Sequence, residues 1–189
     1  MGFHTFDADR AATLEDPERF RYCSREELLA GLDPAPDDRV ADLGSGTGFY
    51  TRELAPFAGT VEAVDVQAAM HDVFRDHGVP ENVSLVTADV ADLPFADDAL
   101  DGAASTMTFH EFAAPGSLAE LHRVLAPDAS LVVADWTAAG RGDDGPPLAE
   151  RYDAEEAASL LADAGFAVRD AVDRPETLFA VADARTMPE

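Results

Sequence analysis

From residue 39 onward, short apolar runs alternate with stretches of helical spacing. Residues 40–43, 60–65, 83–87, 100–105 and 130–136 read as strands, and Val61 and Val64 give the second its β-branched character. Residues 49–57, 67–77, 117–125 and 154–164 read as the helices between and after them, with Leu118, Leu121, Val124 and Leu125 on one face and Gly165 as a stop. Nearly continuous apolar strands separated by helices predict an α/β fold whose mostly parallel sheet is covered on both faces. The runs at 167–172 and 177–182 are joined only by Asp173-Arg174-Pro175-Glu176. That connection is too short for a crossover, so the last pair is predicted antiparallel. Residues 1–35 are charged and aromatic, with two helix starts. Pro17 follows Asp16, and Ser24 is followed three residues later by Glu27, the signature of a capping box. Pro34-Ala35-Pro36-Asp37-Asp38 links this segment to the first strand.

Length and composition narrow the picture. A chain of 189 residues with 47% hydrophobic content supports one domain and a core that needs no staples. No apolar run approaches the ~20 residues that span a bilayer, and MGFHTFDADR lacks the basic and apolar regions of a secretory signal. The lone Cys23 excludes an internal disulfide and a cysteine-rich zinc site.

Charge changes the picture more. Thirteen basic residues, all Arg, face 38 acidic ones, for a net charge of −25. Such a field repels nucleic acid and anionic membrane, and it strains the folded state unless salt screens it. The acids are spread along the whole chain, so the reading is a haloadapted cytoplasmic protein, of the kind a haloarchaeon makes. The absence of Lys removes a P-loop, a Schiff-base lysine and the Tyr–Lys pair of some dehydrogenases.

The strongest motif is Asp42-Leu43-Gly44-Ser45-Gly46-Thr47-Gly48, where a strand ends in glycines at alternate positions before a helix. Such a turn lets a ligand lie against bare backbone, and the helix start offers free N–H groups. Phe49 stands where a dinucleotide fingerprint wants its third glycine. Asp65, at the end of the second strand, can accept both hydroxyls of a ribose. Asp89, after the third strand, can accept from an adenine amino group while the next backbone N–H meets a ring nitrogen.

These residues, with Ala91-Asp92-Leu93-Pro94-Phe95 and Glu120-Leu121-His122-Arg123-Val124-Leu125-Ala126-Pro127, resemble class I S-adenosylmethionine-dependent methyltransferases. Within that class the chain is similar to the small ubiquinone/menaquinone-biosynthesis C-methyltransferases. The resemblance runs over roughly residues 37–183. It implies a Rossmann-like seven-stranded sheet with the last strand antiparallel, and S-adenosylmethionine as cofactor with S-adenosylhomocysteine as product. By position it implies that Gly44, Ser45 and Gly46 contact the methionine and ribose portions. Asp42 reaches the amino group, directly or through water, or else merely caps its turn. Asp65 binds the ribose, Val66 and Gln67 pack at the adenine, Asp89 and Val90 read its edge, and Thr106 completes the cofactor set.

The resemblance also implies a lid in residues 1–36 and a catalytic domain in 37–189. The stretch after the fourth strand, Ser105 to Phe112, faces the donor sulfur. His110 there is read as a general base or an orienting group, against the alternative that it packs or caps a helix. Glu111 is read as an acid at a helix N-terminus. Tyr22, Trp136, His110 and Arg151 form the expected substrate pocket, with Phe3, Phe6 and Phe20 as further lid aromatics. These aromatics are equally readable as core, and Arg151 as a salt-bridge partner. No metal site is expected. The acceptor is a small molecule, nucleic acid and membrane are not partners, and the chain is a monomer or homodimer. A protein that binds S-adenosylmethionine without transferring its methyl group is the competing reading.

Overall fold

The computed structural model describes residues 8–185, so Phe3 and Phe6 lie outside the described residues. Two short 3-10 turns, Ala8–Glu15 and Pro17–Arg21, lead into helix α1 (Arg25–Leu32). Asp16 caps the second turn by accepting from the Glu18 N–H at 2.9 Å. Ser24 and Glu27 form the expected reciprocal box at the start of α1. The order then runs β1 (Arg39–Leu43), α2 (Phe49–Leu54), β2 (Thr60–Asp65), α3 (Ala68–His77), β3 (Val83–Thr87) and β4 (Leu100–Thr106). It ends with α4 (Phe109–Phe112), α5 (Pro115–Val124), β5 (Leu125–Trp136), α6 (Ala154–Asp163), β6 (Phe166–Asp173) and β7 (Thr177–Ala184).

One seven-stranded sheet forms in the order β3-β2-β1-β4-β5-β7-β6. Its pairs are parallel up to β5, and β7 runs antiparallel to both β5 and β6. Alternation along each strand builds two cores, one on each face. Ala41, Leu43, Ala103, Leu131 and Val133 meet Phe109, Leu118, Leu121 and Leu161 on the α4–α6 face. Val40, Val61, Ala104, Val132 and Val181 meet Leu28, Leu32 and Leu54 on the α1–α2 face. Gly31 of α1 lies so close to the sheet that an added Cβ would stand 3.0 Å from Val132. Helix α1 is therefore a covering layer of the sheet, whereas the 3-10 turns before it lie elsewhere, over the sheet's carboxyl edge.

The chain leaves β1 toward β2 and β3, then returns to place β4 on the other side of β1. This reversal opens a crevice at the carboxyl ends of β1 and β4, where ligands of open α/β sheets bind. Among the described residues no helix is long and apolar enough to cross a membrane.

Candidate active site

The turn after β1 is held by its neighbours. The Gly44 and Ser45 N–H groups both donate to the Val64 carbonyl at 2.9 Å. Gly44 has φ +73°, and a Cβ there would fall 2.3 Å from Thr108, so only glycine lets the β1 turn pass the segment after β4. Asp65 accepts from the Gly46 N–H through Oδ2 and from the Gln67 N–H through Oδ1, both at 2.8 Å. Burial raises its pKa, and the two N–H donors with the nearby His71 oppose the rise. The carboxylate thus fixes both loops while keeping lone pairs for a ligand.

A cavity of about 870 Å³ opens over this edge. Its wall follows strand order: Asp89 and Val90 after β3, Asp65, Val66 and Gln67 at β2, Gly44, Ser45 and Gly46 at β1, Thr106 to Thr108 at β4, and Trp136 at β5. Val90 is buried and Val66 is half exposed. Asp89 accepts from the Ala91 N–H at 2.9 Å, which sets the loop it begins. Met107 holds φ +61°, an uncommon conformation for a side chain of its kind, and its N–H donates to Ala134 at 2.7 Å.

Two segments cover the cavity. From the N-terminal side come Thr13, Leu14, Arg19 and Tyr22, and Leu14 sits directly over Gly46. Glu15 ties this segment down by accepting from Thr47 and Arg52, and it lies 3.5 Å from His77. Arg19 donates to the Leu14 carbonyl at 2.8 Å, with its guanidinium over Phe49 and Tyr50. The second cover is the loop after β5, with Asp144 to Pro147 and Glu150. The covers meet where Tyr22 donates to Asp144 at 2.8 Å and packs edge-on against Trp136, ring centres 4.6 Å apart. Arg21 also pairs with Asp144, at 3.1 Å.

His110 belongs to α4, which carries Glu111 beside it. Asp135 follows Val133 by two residues on β5, so it points to the α4 face. It accepts from the His110 backbone N–H at 2.6 Å, and its oxygens lie 2.9 and 3.0 Å from His110 Nδ1. The imidazole hydrogen therefore sits on Nδ1, and Nε2 points to Glu111 at 4.0 Å. Burial works to lower the His110 pKa, but the bond to Asp135 and the charges of Asp135, Glu111 and Glu150 outweigh it, so the shift is upward. Burial pushes the Glu111 carboxyl up to about 7, and Asp65 and Asp135 add to this while His110 opposes it.

Tyr22, Trp136, His110 and all of the expected cofactor residues except Asp42 line this one cavity. One expectation needs correction. Arg151 is not a wall residue. The residue is 5% exposed, and its guanidinium donates to the carbonyls of Pro146 at 2.8 Å, Thr137 at 3.5 Å and Asp144, stacked over Trp136. Its fixed fork of donors matches a folded loop, so it supports the cover from behind. Asp42 lies behind the wall, a place compatible with reaching a ligand through water or with holding its turn. It shares a β1 face with Val40, which turns it toward α2, where Thr51 donates to it at 2.6 Å. Burial raises its pKa to about 6, against the help of Thr51 and Arg19, and its Oδ1 has no partner among the described residues.

Sequence reasoning missed Asp135 as the partner of His110, Arg19 and Glu15 as anchors of the first cover, and Asp144 as the meeting point. The sheet position of Asp135, one strand over from the His110 loop, was a usable signal. The long-range contacts of Glu15 and Asp144 left none.

The sequence model of a family described as a methyltransferase domain matches residues 41–133. The chain is 33% identical over 167 residues to the O-methyltransferase cnsE of Penicillium expansum, covering 80% of this chain and 60% of that one. It is 35% identical over 114 residues to the demethylmenaquinone methyltransferase of Corynebacterium kroppenstedtii, covering 60% and 48%. It spans about half the length of most of these curated relatives. A SAM-dependent methyltransferase from Aquifex aeolicus, known from its crystal structure, superposes with TM-score 0.85 at 31% identity, over 95% of this chain and 100% of that one.

Proposed function

Because the chain belongs to the S-adenosylmethionine-dependent methyltransferases, we propose that it moves the methyl group of that cofactor onto a small-molecule acceptor by in-line displacement. The observation that carries this reading is the wall order of the single cavity, from Asp89 through Asp65 and the glycine turn to Thr106, His110 and Trp136. It supplies a nucleoside-type site at one end and an aromatic chamber at the other. The residues present suit the cofactor. The Ser45 hydroxyl in the wall is buried with no partner among the described residues, as is Asp42 Oδ1 behind it. Relatives named as demethylmenaquinone and O-methyltransferases support a small acceptor.

S-adenosylmethionine supplies an already activated methyl group, so the protein's task is alignment and exclusion of water. Asp65 accepts the ribose hydroxyls, and Asp89 with the Val90 N–H reads the adenine edge while Val66 and Gln67 pack beside it. Gly44, Ser45, Gly46 and Thr106 line the methionine portion. Asp42 is a positioning residue that acts from behind the turn through α2. Among the described residues of 1–36, residues 8–22 serve as the lid together with the loop held by Arg151, while α1 covers the sheet. His110, Tyr22 and Trp136 touch the acceptor, and the dispersed acids suit a protein that works in concentrated salt. Incubation with S-adenosylmethionine in molar KCl and a panel of small phenols, hydroquinones and amines is expected to release S-adenosylhomocysteine only when an acceptor is present. Binding of the cofactor with no release on any acceptor would instead support the silent-binder reading.

A further inference from the structure

Around His110 the cavity carries more negative charge than its own geometry uses. Asp135 is spent on the His110 backbone and Nδ1. Glu111 is different. It lines the cavity, its side chain is 22% exposed, and among the described residues no hydrogen bond holds its carboxylate. A half-buried carboxylate with no bonded partner is costly unless a ligand or a proton meets it. It lines the same cavity as Asp65 on β2 and His110 on its own helix, and its carboxyl feels the charges of Asp65, His110 and Asp135. Glu150, from the covering loop, acts on the same imidazole.

The cations of the wall are already engaged. Arg19 serves the Leu14 carbonyl and two rings, and Arg21 serves Glu18, Tyr22 and Asp144. Against them stand Asp16, Glu18, Glu111, Asp144 and Glu150 in the same wall. Among the described residues, a carboxylate or phosphate entering this chamber meets wall arginines that are already bonded and several like charges, whereas an uncharged or cationic group escapes that repulsion.

We infer that Glu111 is the proton acceptor of the transfer, and that the acceptor molecule is therefore an uncharged or cationic hydroxyl or amine compound that carries a proton to lose. This rests on the methyl-transfer reading above and deepens it. As the acceptor oxygen or nitrogen forms its bond to the methyl carbon, the carbon–sulfur bond breaks with its electron pair going to sulfur, and the acceptor proton passes to a Glu111 oxygen. His110, its Nδ1 held by Asp135, orients the acceptor beside Glu111. A carboxyl that ionises near 7 is matched to this work, since a base is most effective when its pKa lies near the operating pH.

The test uses the full chain in molar KCl with phenols, hydroquinones and primary and secondary amines as probes. Thioethers and pyridine serve as nucleophiles with no proton to lose, and a benzoate and a phenyl phosphate as anions. The proton-bearing uncharged or cationic probes are expected to be methylated, with kcat rising with pH through about 7 as Glu111 ionises. Glu111→Gln is expected to lower kcat by ~100-fold or more and to remove that limb of the profile. Its affinity for S-adenosylhomocysteine should stay within about twofold of wild type, and Glu111→Asp should recover part of the rate. Transfer that survives in Glu111→Gln within about tenfold, against the ~100-fold a lost base costs, would overturn this inference and leave the methyl-transfer reading standing. So would equal use of the proton-free or anionic probes. No methylation of any probe by a protein that binds S-adenosylhomocysteine would overturn both.

Discussion

Asp65→Ala is expected to weaken binding of S-adenosylhomocysteine by ~100-fold or more. The carboxylate is 8% exposed and already accepts two backbone N–H bonds at 2.8 Å, which hold the glycine turn and the loop after β2 in register. Its remaining lone pairs face the cavity, where two vicinal hydroxyls can donate to one carboxylate. Hydrogen bonds to a charged group contribute about 1.5–3 kcal/mol each, so losing two removes at least about 3 kcal/mol. The truncation also strands the Gly46 and Gln67 N–H groups, so the turn itself loosens. Asp65→Asn separates the two effects: it keeps one acceptor oxygen and the size of the side chain, and should lie between wild type and Asp65→Ala. Calorimetric titration in molar KCl, with thermal unfolding of each variant measured beside it, checks both. A loss under about fivefold in Asp65→Ala, far short of two charged hydrogen bonds, would remove Asp65 from the ribose role.

Gly48→Ala is expected to be the most damaging single-atom change to stability, at about 2–5 kcal/mol. Gly48 precedes α2 with φ +83°, where a Cβ costs about 1–2 kcal/mol by itself. That Cβ would also stand 2.3 Å from two atoms of the Phe74 ring, which is fully buried and cannot give way. Overpacking of this kind adds about 1–3 kcal/mol. Gly78 supplies the control, because its φ is +90° and an added Cβ meets nothing within 4 Å. Gly78→Ala should therefore show only the conformational part. Thermal unfolding of the pair decides the matter: Gly48→Ala should melt roughly 5–15 °C below wild type, and equal losses in the two variants would contradict the packing account.

Strands were legible where an apolar run ends at a charged or polar neighbour, and β2 and β3 lie where the pattern puts them. Helix α2 is shorter than its periodicity suggests because Pro56 turns its end into a 3-10 turn. Helix α5 begins two residues earlier than predicted, at Pro115, a residue whose missing N–H suits the first turn. Helix α4 was legible only as a start, through Glu111 read as an acid at a helix N-terminus. Its four residues are too few for a period, and its His110 N–H finds its acceptor on Asp135, 25 positions away.

The residues expected at the cofactor could be read as neighbours because the acids sit at strand ends and the glycines are forced by close approach. Of the residues expected at the acceptor, Tyr22, Trp136 and His110 do line the cavity, but the contacts that fix them run between distant loops and left no pattern. Arg151 shows why. The scarcity of cations drew attention to it, but its partners are main-chain carbonyls, which no side-chain pattern encodes. Asp42 lies on the face of Val40, as alternation along β1 requires, and so sits behind the turn.

The account stands on one cavity at the carboxyl edge that recognises the adenosine and methionine parts of a single sulfur-bearing cofactor. Calorimetric titration of the full chain in molar KCl with S-adenosylmethionine, S-adenosylhomocysteine and NAD tests this most directly. One molecule of either sulfur ligand should bind per chain with micromolar affinity, and NAD should not bind. Binding of NAD as tight as that of the sulfur ligands, or no binding of either sulfur ligand by protein shown to be folded, would contradict it.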